Sequence, residues 1–296
     1  MTSTPRVSIG LPVYNGENLL AAALDSLLAQ DFEDFELILS DNGSTDSTPD
    51  ICREYAERDD RVKLLMGLRN VGAARNYNRT FDLAGGEYFK WAAHDDQYAP
   101  TFLRRCVEAL DADHGVVLAY TRATDIDAEG NDLGPVDFEI DAFGPDPVHR
   151  FAEVAVKSHP CFQVFGIMRA DVLAETCMHG SYTGADRVLL AELALRGRFA
   201  EIPDRLFLHG EHPDRSVNAF YFEHQRYSWF DPRLGSSVAF PNWRMLGEYT
   251  RAVHRVPLDE ADKRRAYAAL APWVNRFKIE LARDVARPIR RKLTRA

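Results

Sequence analysis

Adjacent carboxylates at the end of an apolar run repel one another and cost stability unless a cation or solvent offsets them, and the stretch from Glu87 to Asp96 ends in such a pair, Asp95-Asp96. Hard divalent ions such as Mg2+ and Mn2+ take carboxylate oxygens and complete their shell with water and phosphate oxygens, so a diphosphate is the natural third party. The plainer reading is a solvated acidic turn before Tyr98-Ala99-Pro100, with His94 as a packing or capping residue. A second acidic segment, Ser40-Asp41-Asn42-Gly43-Ser44-Thr45-Asp46, also follows an apolar run. Its Asp41 can accept a hydrogen bond from a base N–H, and Tyr14, after the first apolar run, is placed to stack on the same flat ring. The alternative is a helix-capping turn with Asp46 or Ser47 as cap.

Three further positions carry chemistry by type and place. Arg75 falls in the first turn of a helix that opens near Gly72. A cation there runs against the helix dipole, which suits an Arg facing an anion or carboxylate and equally a surface side chain that tolerates a small penalty. Asp186, in Gly184-Ala185-Asp186-Arg187, opens another helix, where the dipole alone accounts for a carboxylate and so does a general base for a hydroxyl proton. His209 and His212 flank Gly210-Glu211 after an apolar run, and a neutral imidazole there could close a metal shell.

The elements that must position these groups follow from periodicity. Val7 to Leu11 reads as a strand, Leu20 to Leu28 as a helix, Phe35 to Leu39 as a strand, and Ser47-Thr48-Pro49 as a helix start. Val62 to Met66, Gly72 to Leu83 and Glu87 to Ala93 continue the rhythm as strand, helix and strand. Strands alternating with helices imply a mostly parallel sheet with its ligands at the carboxyl ends of the strands, where Asp41 and Asp95-Asp96 lie. Thr101 to Leu110 reads as a helix, Val116 to Tyr120 as a strand, Asp125 to Pro147 as loops with short strands, and Val164 to Met168 as a further strand. Asp186 begins a strongly amphipathic helix closed by Gly197, followed by two short extended runs at Phe199 to Ile202 and Leu206 to Leu208. From about Asn218 the character changes to helical stretches with Trp229, Trp243 and Trp273. The domain reading is residues 1-215 for the site-bearing α/β unit and 216-296 for a helical C-terminal region.

Composition narrows the class. The 296 residues are 46% hydrophobic and 27% charged, enough to bury a sizeable core, and the net charge of -9 argues against a nucleic-acid binder. The four cysteines, Cys52, Cys106, Cys161 and Cys177, signal neither a disulfide framework nor a zinc site and suit a reducing cytosol. The opening residues lack the plan of a secretory signal, and no run approaches the roughly 18 apolar residues of a membrane span, so the body of the protein is expected to be soluble and cytoplasmic.

At this point the sequence resembles the family 2 inverting glycosyltransferases of the GT-A fold, over roughly residues 6 to 215. The resemblance rests on Val7-Ser8-Ile9-Gly10-Leu11-Pro12-Val13-Tyr14-Asn15, on Leu39 to Asp46, on Asn70-Val71-Gly72 with Ala74-Arg75-Asn76, and on Gly86-Glu87-Tyr88 leading to Asp95-Asp96 with Pro100. It implies a Rossmann-like three-layer α/β/α fold with a helical C-terminal appendage. It also implies that Pro12, Tyr14 and Asp41 hold the base, Arg75 and Asp95 help hold the donor, Asp96 binds a divalent metal (Mn2+ or Mg2+), and Asp186 is the catalytic base. The partners implied are a nucleotide diphosphate sugar, first of all a UDP-sugar with TDP presenting the same edge, and a hydroxyl-bearing acceptor. The family's metal motif is usually D-x-D or D-x-D-D, whereas Ala93 and His94 precede the pair here, leaving Asp96, phosphate and His212 to hold the ion. The Q-x-x-R-W motif of processive synthases is absent, since Gln225-Arg226-Tyr227-Ser228-Trp229 has another order, which favours transfer of a single sugar.

Rival readings are a sugar nucleotidylyltransferase, whose Gly-rich N-terminal phosphate loop this chain lacks, and a nucleotide-sugar-binding module without catalysis. The basic stretch Arg276 to Ala296 carries apolar Phe277, Ile279, Leu281, Val285, Ile289 and Leu293, which would let it lie on an anionic membrane surface; a solvated helix, packing on the domain and pairing with a second copy are the alternatives.

Overall fold

The computed structural model describes residues 4–213, 229–233 and 240–293, with side chains described as far as residue 286. The apolar runs become β1 (Val7–Val13), β2 (Phe35–Asp41), β3 (Val62–Met66) and β4 (Tyr88–Trp91), alternating with α1 (Leu20–Leu28), α2 (Thr48–Arg58) and α3 (Ala73–Asp82). Every residue of β1, β2 and β4 is buried, as expected of parallel strands covered on both faces. After these come β5 (Gln97–Tyr98), α4 (Phe102–Ala112), β6 (Val116–Ile126), β7 (Asp132–Val136), α5 (Pro147–Val156), β8 (Ile167–Arg169), α6 (Ala170–Ala174), α7 (Ala185–Arg196) and β9 (Arg198–Gly210).

These strands form one nine-stranded sheet in the order β3-β2-β1-β4-β8-β6-β9-β5, with β7 paired to β6. β1, β2, β3 and β4 run parallel, as do β6 and β9, while β8 joins the two halves antiparallel to β4 and β6. One core, containing Leu11, Leu24, Leu27, Phe102 and Leu103, lies between the sheet and α1, α2 and α4. The other, containing Trp91, Tyr120, Phe151, Leu189 and Phe199, lies under α5 and α7. The architecture is therefore α/β/α in three layers. Helices Pro241–Arg255, Glu260–Ala269, Ala271–Arg276 and Lys278–Leu293 follow, and their Tyr249, Val253 and Trp273 join the second core.

Three local expectations are corrected. Helix α7 is not amphipathic: Val188 through Leu195 are all buried, because the sheet covers one side and α5 with the C-terminal helices covers the other. The two short runs after Gly197 are one strand, β9. They look separate because Pro203 and Asp204 fall where the register against β6 jumps from Thr121↔Ile202 to Arg122↔Arg205, and a proline is tolerated at such an irregularity. The strand expected from Val164 starts only at Ile167, after a 3-10 turn over Phe162–Phe165 entered through Cys161 at φ 64, in the left-handed region. All four cysteines are free thiols. The expected helical content of Asn218 to Ser228 lies outside the described residues.

Candidate active site

The carboxyl ends of β1 and β2 sit side by side, with Val13 opposite Asp41. Pro12 is buried in β1 beyond its last register pair with β4, Gly10↔Trp91, so its missing N–H removes no ladder bond on that side. Asp41 is 1% exposed, and its carboxylate accepts hydrogen bonds from the amides of Gly43 (3.1 Å) and Ser44 (3.2 Å), which folds the following loop back over the strand end. A carboxylate has room for about four such bonds, so this use leaves capacity for a base N–H. Arg79 of α3 donates to the Asp41 carbonyl and to Ser40 Oγ, each at 2.6 Å.

Short amides lace the neighbouring loops together. Asn15 Oδ1 accepts from Thr45 N (2.9 Å), and its own amide donates to Ser44 Oγ (2.9 Å). Asn42 donates to Asn70 Oδ1 (3.0 Å) and accepts from Val71 N (3.0 Å), while Asn70 accepts from Gly72 N (2.8 Å). Tyr14, 40% exposed, stands at the rim of this frame, where a ring can stack on it. Gly72 has φ +92, and a Cβ there would lie 2.4 Å from the Phe230 carbonyl, so the Trp229 to Arg233 segment lies directly over the start of α3. Arg75 is exposed in that first turn and acts electrostatically on Asp231, whose carboxylate is held low chiefly by its hydrogen bonds to Arg233.

The acidic pair occupies the turn between β4 and β5. Asp96 is 3% exposed and accepts from the Gly210 amide at 3.0 Å, while Asp95 Oδ2 meets His212 Nε2 at 3.1 Å. Burial pushes the Asp95 carboxyl up, but the His212 hydrogen bond and the nearby His94 and His212 charges outweigh it and hold the group below the usual carboxylate range. Only glycine fits at 210, because a Cβ would stand 2.0 Å from the Asp95 carbonyl. His94 packs its ring against Gly16 and lies 3.9 Å from Asp95, in keeping with the packing role.

On the other face of the same β9 end, His209 Nδ1 meets Asp125 Oδ1 at 2.7 Å, and Glu211 lies 3.9 Å from that ring nitrogen. These three residues are the group among the described residues whose ligand atoms all lie within 4.8 Å of one another. Asp95, Asp96 and His212 offer hard oxygens and an imidazole nitrogen, the donor types that Mg2+ or Mn2+ take, without forming such a converged group.

Asp186 is the second residue of α7 and half-buried. Its Oδ1 accepts from Arg187 N at 2.8 Å, and the Arg187 guanidinium bolts the preceding segment in place through the carbonyls of Lys157 (2.7 Å) and His159 (2.6 Å). Tyr77 of α3 ties this helix start to the acidic turn. Burial, then Asp95, Asp96 and Asp186, all push its hydroxyl pKa up, so the three carboxylates lie within electrostatic reach of one phenol. Trp91 Nε1 donates to the Tyr77 carbonyl (3.0 Å), and the His179 ring sits 4.5 Å from Trp91 and 4.9 Å from Tyr77. Tyr77, Trp91 and His179 therefore pack as one ring cluster.

The structure thus joins Asp95 to His212 and Asp96 to the Gly210 amide, puts Asp95, Asp96 and Asp186 within electrostatic reach of Tyr77, places Pro12, Tyr14 and Asp41 at the adjoining strand ends, and leaves Arg75 exposed in the first turn of α3. Sequence reasoning missed Tyr77, Arg79, Arg187 and His179, whose types occur throughout any chain. It also passed over Lys90, although a lysine inside the buried run Tyr88-Phe89-Lys90-Trp91 was a legible anomaly.

A family model described as Glycosyl transferase family 2 matches residues 8–175. An uncharacterized glycosyltransferase of Rickettsia typhi is 35% identical over 133 residues, 45% of this chain and 41% of that protein. The putative glycosyltransferase EpsE of Bacillus subtilis is 37% identical over 112 residues, 38% of this chain and 40% of that protein. The matched stretch thus spans about two fifths of each relative's length. Among solved structures, Staphylococcus aureus TarS 1-349 in complex with UDP-GlcNAc superposes with a TM-score of 0.66 at 17% identity, covering 91% of this chain and 73% of that one. Mannosyltransferase PcManGT from Pyrobaculum calidifontis, in complex with GDP-Man and Mn2+, gives 0.56 at 19% identity, covering 96% and 74%. At these identities the structural likeness speaks for the GT-A fold.

Proposed function

The chain belongs to glycosyl transferase family 2, and on that premise we propose that it moves one sugar from a nucleotide diphosphate sugar, first of all a UDP-sugar, to an acceptor hydroxyl with inversion. The observation that carries this reading is the acidic turn at the end of β4, with Asp95 on His212 and Asp96 on the Gly210 amide, in the same sheet whose β2 end bears Asp41, and with Asp95, Asp96 and Asp186 all in electrostatic reach of Tyr77. Pro12, Tyr14 and Asp41 hold the base, and Arg75 and Asp95 help hold the diphosphate sugar. Two structural neighbours support a nucleotide-sugar donor, one in complex with UDP-GlcNAc and one with GDP-Man and Mn2+.

Asp96 and His212 would hold Mn2+ or Mg2+, with Asp125, His209 and Glu211 as a second donor set beside them. Such an ion, when bound, offsets charge on the departing diphosphate. Asp186 takes the proton from the acceptor hydroxyl, and attack from the face opposite the diphosphate inverts the anomeric centre. The Arg187 contacts hold the helix start that carries this carboxylate, so its aim is set before the substrate arrives.

Asp186→Asn tests the reading. Transfer should fall by about 10^2 to 10^4, the usual contribution of a positioned base, while nucleotide-sugar binding measured by calorimetry stays within a few-fold of wild type. A fully active Asn variant removes Asp186 from the mechanism.

No helix among the described residues is long and apolar enough to cross a membrane, which, with the missing Q-x-x-R-W order, supports transfer of single sugars, as in glycan, glycolipid or natural-product assembly. Within this reading residues 1-215 bind donor and carry the chemistry in the cytoplasm, and 216-296 serve the acceptor side, a homodimer contact or the inner membrane face. Membrane contact is supported by exposed Ile279 and Val285 on a helix rich in Arg and Lys. The chain should then float with anionic vesicles and not with neutral ones; no flotation with either removes the membrane contact.

A further inference from the structure

Asp186 is aimed by the turn that precedes it. The loop of residues 175–184 enters α7 through Gly184 at φ +85, and a glycine has no side chain with which to cap or wedge the helix start. Arg187 fastens one side of that start to the carbonyls of Lys157 and His159. The other side is covered by the first of the C-terminal helices, α8 (Pro241–Arg255). A Cβ at Gly184 would stand 3.0 Å from Met245 Cε and 3.1 Å from its Sδ, so the thioether lies directly on that glycine. Arg244 places its guanidinium 4.8 Å from the centroid of the Tyr182 ring, a cation over a π face. Tyr182 is 5% exposed, its carbonyl accepts from the Ala185 amide at 3.3 Å, and its buried hydroxyl has no hydrogen-bond partner among the described residues. Packing and the Arg244 contact are therefore what hold the ring.

The same turn of α8 also faces the end of the chain. Asn242 donates from its backbone amide (2.8 Å) and its side-chain amide (3.1 Å) to one oxygen of Asp284, and Trp243 Nε1 donates to the Leu281 carbonyl at 3.0 Å. Asp284 and Leu281 belong to the terminal helix Lys278–Leu293, and Asp284 is 3% exposed, a burial that a carboxylate tolerates only with donors on it. Four consecutive residues thus divide their work: Asn242 and Trp243 grip the terminal helix, Arg244 and Met245 grip the turn before Asp186. Further along, α8 is fastened by other groups, since Tyr249 and Val253 are 0% exposed and Arg255 meets Glu192 at 2.8 Å. A helix anchored there does not need its first turn to stay on the domain, so the contacts of that turn serve its neighbours.

We propose that the first turn of α8 is a positioning element for the carboxylate of Asp186: Arg244 and Met245 hold the Tyr182–Gly184 turn in the seat that aims it, and Asn242 with Trp243 tie that turn to the terminal helix. The inference rests on the function proposed above, in which Asp186 takes the acceptor proton. It gives the C-terminal region a part in transfer that is independent of any acceptor, membrane or second copy. The terminal helix acts on the base through one turn of α8.

The full chain tests this in two ways. Hydrogen–deuterium exchange needs no ligand: in Met245→Ala and Arg244→Ala the amides of residues 182–188 should exchange several-fold faster, while those of residues 190–196 keep their wild-type rate. Turnover is read as UDP released from UDP-GlcNAc or UDP-glucose with Mn2+, and donor affinity by calorimetry. Both variants should lose about tenfold in kcat with donor affinity within about twofold, because a misplaced base costs rate rather than donor binding. Met245→Leu and Arg244→Lys should recover most of the loss. Asp284→Ala, which strips Asn242 of its acceptor and reaches the loop through α8, should shift exchange and kcat the same way by a smaller factor. Trp243→Phe, which keeps a ring and lacks the donor, carries this arm if Asp284→Ala does not fold. Wild-type kcat and exchange in the Met245 and Arg244 variants, or a lower melting temperature with unchanged kcat, makes the turn a packing contact and overturns the inference. Loss in those variants with none in Asp284→Ala and Trp243→Phe overturns the link to the terminal helix. Failure of the function itself reads differently: Asp186→Asn as active as wild type, or wild type that releases no UDP from either sugar, defeats the reading above and with it the part of this turn in transfer, whatever the exchange result.

Discussion

The two halves of the sheet solve the same problem with different groups. Around β1 to β4 the backbone is held mainly by short side chains: Asn15, Asp41, Asn42 and Asn70 each tie a loop amide within about one turn of chain from a strand end, with Arg79 added at the Asp41 carbonyl. Around β6, β9 and α7 it is held by long ones. Arg150 reaches the carbonyls of Ala194 (2.8 Å) and Gly144 (2.8 Å), Arg169 those of Val116 (2.8 Å) and Leu110 (2.6 Å), and Arg205 that of Ala123 (2.7 Å). Glu192, 0% exposed inside α7, is paired with Arg255 at 2.8 Å and Arg196 at 3.2 Å. The difference follows from the task. A loop that must fit a flat base and a diphosphate needs its own amides fixed at short range, whereas a buried helix that aims one carboxylate needs distant segments fastened to it.

This contrast predicts that damage in the second half unfolds and damage in the first half loosens binding. The largest effect is expected from Glu192→Ala, which leaves Arg196 and Arg255 without their buried partner; chemical denaturation should show a loss of about 3–5 kcal/mol. A loss below about 1 kcal/mol would mean that the arginine network is not what anchors α7.

His159 gives a slightly smaller effect with a definite pH window. Its Nε2 lies 3.1 Å from the Val154 carbonyl and its Nδ1 accepts from Cys161 N at 3.2 Å, so the neutral ring with the proton on Nε2 is the form that fits. Burial, with the Arg187 charge added, pushes its pKa down to about 4, below the ordinary value near 6.5. Because the folded value is the lower one, the unfolded chain binds the extra proton first. Stability is then fully present above about pH 6.5 and is lost as pH falls toward 4, by roughly 3 kcal/mol in all. Denaturation curves across that range should be steeper in pH for wild type than for His159→Gln, and parallel curves would remove His159 as the cause.

Asn42→Ala should do least to stability, about 1–2 kcal/mol, since two part-buried hydrogen bonds to the neighbouring loop are lost. Its effect should appear instead as a several-fold weaker nucleotide-sugar affinity, measured by calorimetry. A variant that melts far lower and binds donor normally would reverse the contrast between the halves.

Much of the first half was legible because its signals are local. A strand buried on both faces reads as an unbroken apolar run, and a strand-end loop reads as Asp, Asn, Gly and Ser, so the ranges around Val7, Phe35 and Val62 and the place of Asp41 and Asp95-Asp96 follow from a few residues each. The second half was less legible. The burial of α7 on all sides depends on helices that arrive after residue 240, and the unity of β9 across Pro203 depends on its register against β6.

The sequence by itself determined the alternating α/β rhythm, the acidic strand ends and the family resemblance, because periodicity and turn chemistry are written within a turn or a strand of chain. Only the tertiary structure decided that His212 meets Asp95, that Gly210 caps Asp96, that three carboxylates act on the Tyr77 hydroxyl and that Lys90 is buried against the Tyr98 ring. Those contacts join residues up to 117 positions apart, and a pairing at that range is set by which surfaces the sheet order brings together.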